Sequence, residues 1–117
     1  MRRDQLDPSL VTALGMTAYA ALPAVEPWWI IGNAAVALHG VTLPVANVDL
    51  LLAPSDATRV LQQMETPVTR DGGQGRFRSE VFGRWRGSVI PIDVLGGFQV
   101  LHKGCWIEVR PMTREAV

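Results

Sequence analysis

Two aspartates in apolar surroundings are the first residues of this 117-residue chain that could do chemistry. Asp49 lies in the run Asn47-Val48-Asp49-Leu50-Leu51-Leu52, and Asp93 in Ile92-Asp93-Val94-Leu95. A carboxylate in such a run costs free energy unless it is paired, placed at a strand end or bound to a cation. Two of them on neighbouring strands make an oxygen-rich site suited to Mg²⁺, which takes a few protein carboxylates plus water and substrate phosphates. A second candidate is the step Gly32-Asn33, between the apolar run 28–31 and an alanine-rich stretch. At the start of a helix it offers backbone N–H groups and a positive helix end to a phosphate. Joined, the two features would hold a nucleotide's triphosphate against a metal.

The elements that must position these groups follow from spacing. Asp7-Pro8-Ser9 reads as a helix start, and the periodicity predicts a helix over 8–21 with Leu10, Leu14, Ala18 and Leu22 inward. Residues 28–31 read as a buried strand, 34–39 as a short helix closed by Gly40, and 47–53 as a second strand. Alternation sets Asn47, Asp49 and Leu51 on one face, with Val48, Leu50 and Leu52 on the other. A helix over 56–64 follows, with Val60, Leu61 and Met64 inward. Residues 71–75, Asp-Gly-Gly-Gln-Gly, read as a turn. A long strand over 76–86 then pairs with 89–95 around Gly87-Ser88. A two-residue loop sets Asp93 opposite Phe82, with Arg84 diagonal to it; a three-residue loop sets it opposite Val81 on the other face. Gly96-Gly97 breaks that run, and 98–101 with 105–109 make a last hairpin. Residues 111–117 look like the start of a further helix. The class is α+β, with α/β character: a mixed sheet carrying helices, in one domain spanning 1–117.

In that order, Ile31-Gly32-Asn33 followed by Asn47-Val48-Asp49 and then Ile92-Asp93 resembles the nucleotidyltransferase superfamily. More narrowly, the chain resembles small bacterial nucleotidyltransferase-like proteins, some of them from toxin–antitoxin systems. The resemblance spans roughly residues 28–115 and implies transfer of a nucleotidyl group from a nucleoside triphosphate, with Mg²⁺ on Asp49 and Asp93. It implies that Gly32 matches the first glycine of a Gly-Gly or Gly-Ser step, with Asn33 in place of its partner. Asn47 stands where the first acid of an Asp-x-Asp pair belongs, Asp49 matches the second, and Asp93 matches a third acid. An amide binds Mg²⁺ poorly and cannot act as a base. Catalysis is therefore expected to be impaired, with weak nucleotide and Mg²⁺ binding left. The resemblance also implies a C-terminal helical extension that this chain stops short of.

Composition narrows the alternatives. With 48% apolar residues the chain can bury a core, and its zero net charge creates no global pull toward nucleic acid. No apolar run approaches the roughly 20 residues that cross a bilayer, and nothing reads as a signal peptide. Cys105 is the sole cysteine, which fits a cytoplasmic protein, and its apolar neighbours suggest a core position. Arg76, Arg78, Arg84 and Arg86 share one strand face around Glu80, either as a solvated, ion-paired surface or as a lining for phosphates, Arg84 above all. Gly32-Asn33 could equally be an ordinary turn with Asn33 as N-cap. The competing function is a non-catalytic domain that binds a partner chain or itself. Carboxylates within reach of one metal beside an open cleft keep the nucleotide reading, and either carboxylate buried against arginine decides for the interaction reading.

Overall fold

A computed structural model describes residues 6–110. The chain runs α1 (Pro8–Ala21), β1 (Trp29–Ile31), α2 (Gly32–Leu38), β2 (Val48–Leu52), α3 (Pro54–Gln63), β3 (Thr69–Gln74), β4 (Phe77–Trp85), β5 (Ile92–His102) and β6 (Cys105–Glu108). The sheet is mixed and six-stranded, in the order β1-β2-β5-β4-β3, with β6 paired to β5. Only β2 and β5 run parallel; the other pairs are antiparallel. This is the expected α+β architecture. The expected helix over 111–117 lies outside the described residues. Among the described residues no helix is long and apolar enough to cross a membrane.

One sheet face is packed under helices. Val48, Leu50 and Leu52 of β2, Ile92 and Val94 of β5 and Val81 of β4 are buried there with Ala57, Val60 and Leu61 of α3 and Leu10, Ala13 and Ala21 of α1. Each fully buried branched side chain contributes about 1.5–3 kcal/mol. The strand alternation is thus as expected, but the buried stripe of α1 is shifted. Ala13, Thr17 and Ala21 join Leu10, whereas Ala18 and Leu22 are exposed. Thr17 can occupy the core because its hydroxyl donates to Ala13 O at 2.7 Å.

Three turns differ from expectation. Residues 71–74 belong to strand β3, and the chain reverses at Gly75-Arg76 instead. Ladder pairing with β4 outweighs the low strand propensity of its glycines. Gly96-Gly97 does not break β5, which runs through both residues. A Cβ at Gly96 would lie 2.6 Å from Ala57 Cβ, so the glycine marks where α3 presses on the strand. Lastly, β4 and β5 close at Trp85↔Ile92, leaving 86–91 as a loop where Gly87-Ser88 was expected to turn alone. The Trp85 ring covers Gly87, the Ser88 hydroxyl binds Ile90 O at 2.6 Å, and Ile90 enters the core. Cys105, expected inside, is exposed at the start of β6.

The first turn of α3 carries a buried charge that sequence patterning missed. Asp56 is 1% exposed and accepts from the backbone N–H of Val25 (3.1 Å) and Glu26 (2.9 Å), and from Arg59. Burial pushes its pKa up, but the two backbone donors and Arg59 outweigh that and hold the carboxyl below its ordinary range. The bond ties the α1–β1 connection to α3. Asp56→Asn should lower stability by about 1–3 kcal/mol at pH 7, because one amide end now faces a backbone donor. A carboxyl with a lowered folded pKa stabilises above its unfolded value of about 3.9 and loses that contribution as pH falls through the folded value. The Tm gap between wild type and variant should therefore narrow below about pH 4, and a gap independent of pH would contradict this assignment.

Candidate nucleotide and metal site

The site is built where β2 and β5 run side by side. Their register sets Asp49 opposite Asp93, and the antiparallel register of β4 sets Arg84 opposite Asp93 from the other side. The core residues of these strands occupy the helix-covered face, so Asp49, Asp93 and Arg84 share the opposite one. Asp93 thus sits across from Arg84 rather than Phe82 or Val81. The longer loop moves the partner by two residues, which keeps the face foreseen for the two-residue turn.

Arg84 grips Asp93 with both ends of its fork, Nε to Oδ1 at 2.5 Å and Nη2 to Oδ2 at 2.7 Å. Such bidentate pairing is the strongest form of charge-assisted hydrogen bond. Asn47, just before β2, donates from one nitrogen to both acids: Nδ2 lies 2.7 Å from Asp49 Oδ1 and 3.1 Å from Asp93 Oδ2. The two carboxylates thus converge on a single donor atom. Asp93 is 6% exposed, while the Arg84 side chain is 40% exposed.

Gly32 closes the remaining side. It opens α2 with φ +73°, and a Cβ there would stand 2.7 Å from Asp49 Oδ2. A glycine is needed both for that conformation and for the close approach. Asn33, the next residue, is exposed and reaches Pro44 O at 3.4 Å. It does not cap α2; the cap position is Ile31, which makes no side-chain capping bond.

Electrostatics follow from this crowding. Burial raises the pKa of Asp49, and the neighbouring Asp93 raises it further; the Asn47 hydrogen bond and Arg84 offset this only in part. The hydrogen bond to Asp93 raises the pKa of Arg84. Hence Arg84 stays charged, and Asp49 takes up a proton more easily than an ordinary aspartate.

The donor set suits an oxygen-seeking cation: two carboxylates on neighbouring strands and an amide able to turn its oxygen inward. In the present arrangement the Asn47 amide nitrogen and the Arg84 guanidinium occupy those oxygens. No group of three or more acid, histidine or cysteine side chains that could hold a metal occurs among the described residues. Of the other arginines, Arg76 binds Leu101 O, and Arg78 binds Gln99 and lies over the Trp106 ring at 4.1 Å. The fold therefore gathers Asp49, Asp93, Asn47, Arg84 and Gly32 at one place. Pairing of an acid with arginine was among the expectations; what sequence reasoning missed is that Arg84 lies directly opposite Asp93 rather than diagonal to it, and that Asn47 is a shared donor.

No protein-family model and no curated protein matches the chain. Among solved structures, a candidate nucleotidyltransferase from Thermotoga maritima aligns with a TM-score of 0.71 at 18% identity. The alignment covers 92% of this chain and 70% of that one, so the chain has a nucleotidyltransferase-like fold.

If Asp93 is one source of the raised Asp49 pKa, Asp93→Asn should bring Asp49 down toward the ordinary carboxylate range. Carboxyl-carbon NMR titration of wild type and variant checks this, and an Asp49 midpoint that stays put or rises refutes the coupling.

Proposed function

We propose that this chain is a nucleotidyltransferase-fold protein with weak or lost transferase chemistry that retains binding of a nucleoside triphosphate with Mg²⁺. The observation that supports it is the convergence of Asp49 and Asp93 on the single nitrogen of Asn47. Two carboxylates that can share one donor atom can share one cation once the amide turns away. Asp49 and Asp93 would be the metal ligands in this reading, Asn47 would supply at most an amide oxygen, and the Gly32-Asn33 step and Arg84 would face the phosphates. Bound Mg²⁺ would supply charge neutralisation for the triphosphate. Impairment would follow from Asn47, which brings no negative charge and no base where the first acid of an Asp-x-Asp pair would stand.

A second reading has its own support. Asp93 is buried against arginine, and the outer side of α1 exposes Met16, Tyr19 and Leu22 along a groove of about 970 Å³ that reaches Met64 and Trp85. A domain kept for self-association or for a partner chain would use such a face. Light scattering that finds a strict monomer at high concentration removes self-association.

The nucleotide reading is tested by titrating ATP and GTP in the presence of Mg²⁺. Binding is expected in the micromolar-to-millimolar range typical of an incomplete site, and no binding at millimolar ligand ends the proposal. Asn47→Asp combined with Asn33→Gly should tighten Mg²⁺-dependent binding and raise any nucleotidyl transfer. If the double variant binds no better and stays inert on a panel of acceptors, the missing acid is not what limits the site.

A further inference from the structure

Asp93 is almost wholly buried, so its charge needs a counter-charge at contact distance in every state of the protein. Arg84 now provides it through both oxygens, and Asn47 Nδ2 takes a further approach to Oδ2. A Mg²⁺ ligated by those oxygens would stand about 2.0–2.1 Å from them, where guanidinium and amide hydrogens already point. Guanidinium and metal therefore compete for the same two oxygens of Asp93. The Arg84 side chain, unlike Asp93, is substantially exposed, so its fork can turn outward while the acid stays in place. A fork that leaves one pair of oxygens is best received by another, and a phosphate offers such a pair.

Building on the nucleotide reading above, we propose that Arg84 is a placeholder cation. It holds Asp93 in the free protein and passes to the phosphates of an incoming nucleoside triphosphate as a divalent cation takes its place on Asp93. Metal alone must displace a bidentate partner that gains nothing in return. Nucleotide alone can draw Arg84 away only by leaving Asp93 bare. Metal and nucleotide consequently bind as one unit, and Arg84 is the positioning residue that makes each depend on the other.

The test follows Mn²⁺ alone by loss of its free-ion EPR signal, and ATP and preformed Mn²⁺·ATP by calorimetric titration into the protein. In wild type, Mn²⁺ alone and ATP alone should bind poorly, and Mn²⁺·ATP should bind about tenfold or more tightly than ATP alone. Arg84→Gln should bind Mn²⁺ alone about tenfold more tightly than wild type, since Asp93 is freed, and should lose the coupling. A readout in wild-type protein does not depend on that variant folding. The Arg84 Nε–H resonance, assigned by its absence in Arg84→Lys, should shift with Mg²⁺·ATP and stay in place with Mg²⁺ alone. Unchanged Mn²⁺ affinity in folded Arg84→Gln, or an Nε–H resonance indifferent to Mg²⁺·ATP that does bind, overturns the exchange and leaves the nucleotide reading standing. If neither Mn²⁺ nor Mn²⁺·ATP binds either protein at millimolar concentration, both fall.

Discussion

Two carboxylates on adjacent parallel strands repel each other, and a half-buried pair needs hydrogen-bond donors and a counter-charge close by. That constraint organises this molecule. Asp49 and Asp93 are neighbours because β2 and β5 run parallel in register. The chain reaches that register through α3 and the β3–β4 hairpin, and β4 returns beside β5 at the position that sets Arg84 against Asp93. Asn47 enters from the start of β2 and donates to both acids from one nitrogen. Two separate strand registers must be right together for Asp49, Asp93 and Arg84 to meet.

The rest of the fold supplies the rigidity this demands. The other sheet face is a continuous apolar core under α1 and α3, and the close approach of α3 at Gly96 and Gly83 keeps β4 and β5 from shifting. Asp56 binds the α1–β1 connection to the first turn of α3, so the short strand β1 is anchored from both ends of its approach. Gly32 then follows directly, and its closeness to Asp49 is inherited from that anchoring. Stability sits on one face and polar chemistry on the other, in the division common to two-layer α+β domains.

Much of this was legible in the residue pattern because hydrophobic period reports elements and faces directly. Helix 8–21, the strand faces of 47–53 and 89–95, and the candidate acids all follow from period and type. Register is different, because it depends on how a loop packs. The indole of Trp85 over Gly87 and the burial of Ile90 lengthened the β4–β5 connection, and no periodicity encodes either contact. The even slip preserved the face and changed the partner, turning Arg84 from a diagonal neighbour into a bidentate one. Asn47 was recognisable by position, but the direction in which an amide points is decided by its neighbours' oxygens. Cys105 and the stripe of α1 show the same limit: apolar neighbours in sequence do not say which side of an element the rest of the fold covers.

Asn47 has one further consequence. An asparagine amide and an aspartate carboxylate have the same shape, and their codons differ by a single base. The donor nitrogen stands 2.7 Å from Asp49 Oδ1 and 3.1 Å from Asp93 Oδ2, so an aspartate there would set a third carboxylate oxygen against the other two. What changes is whether the paired acids meet a hydrogen-bond donor or another acid. A single base change therefore separates a site that carries its own hydrogen-bond donor from one that must find positive charge elsewhere, and this chain has the former.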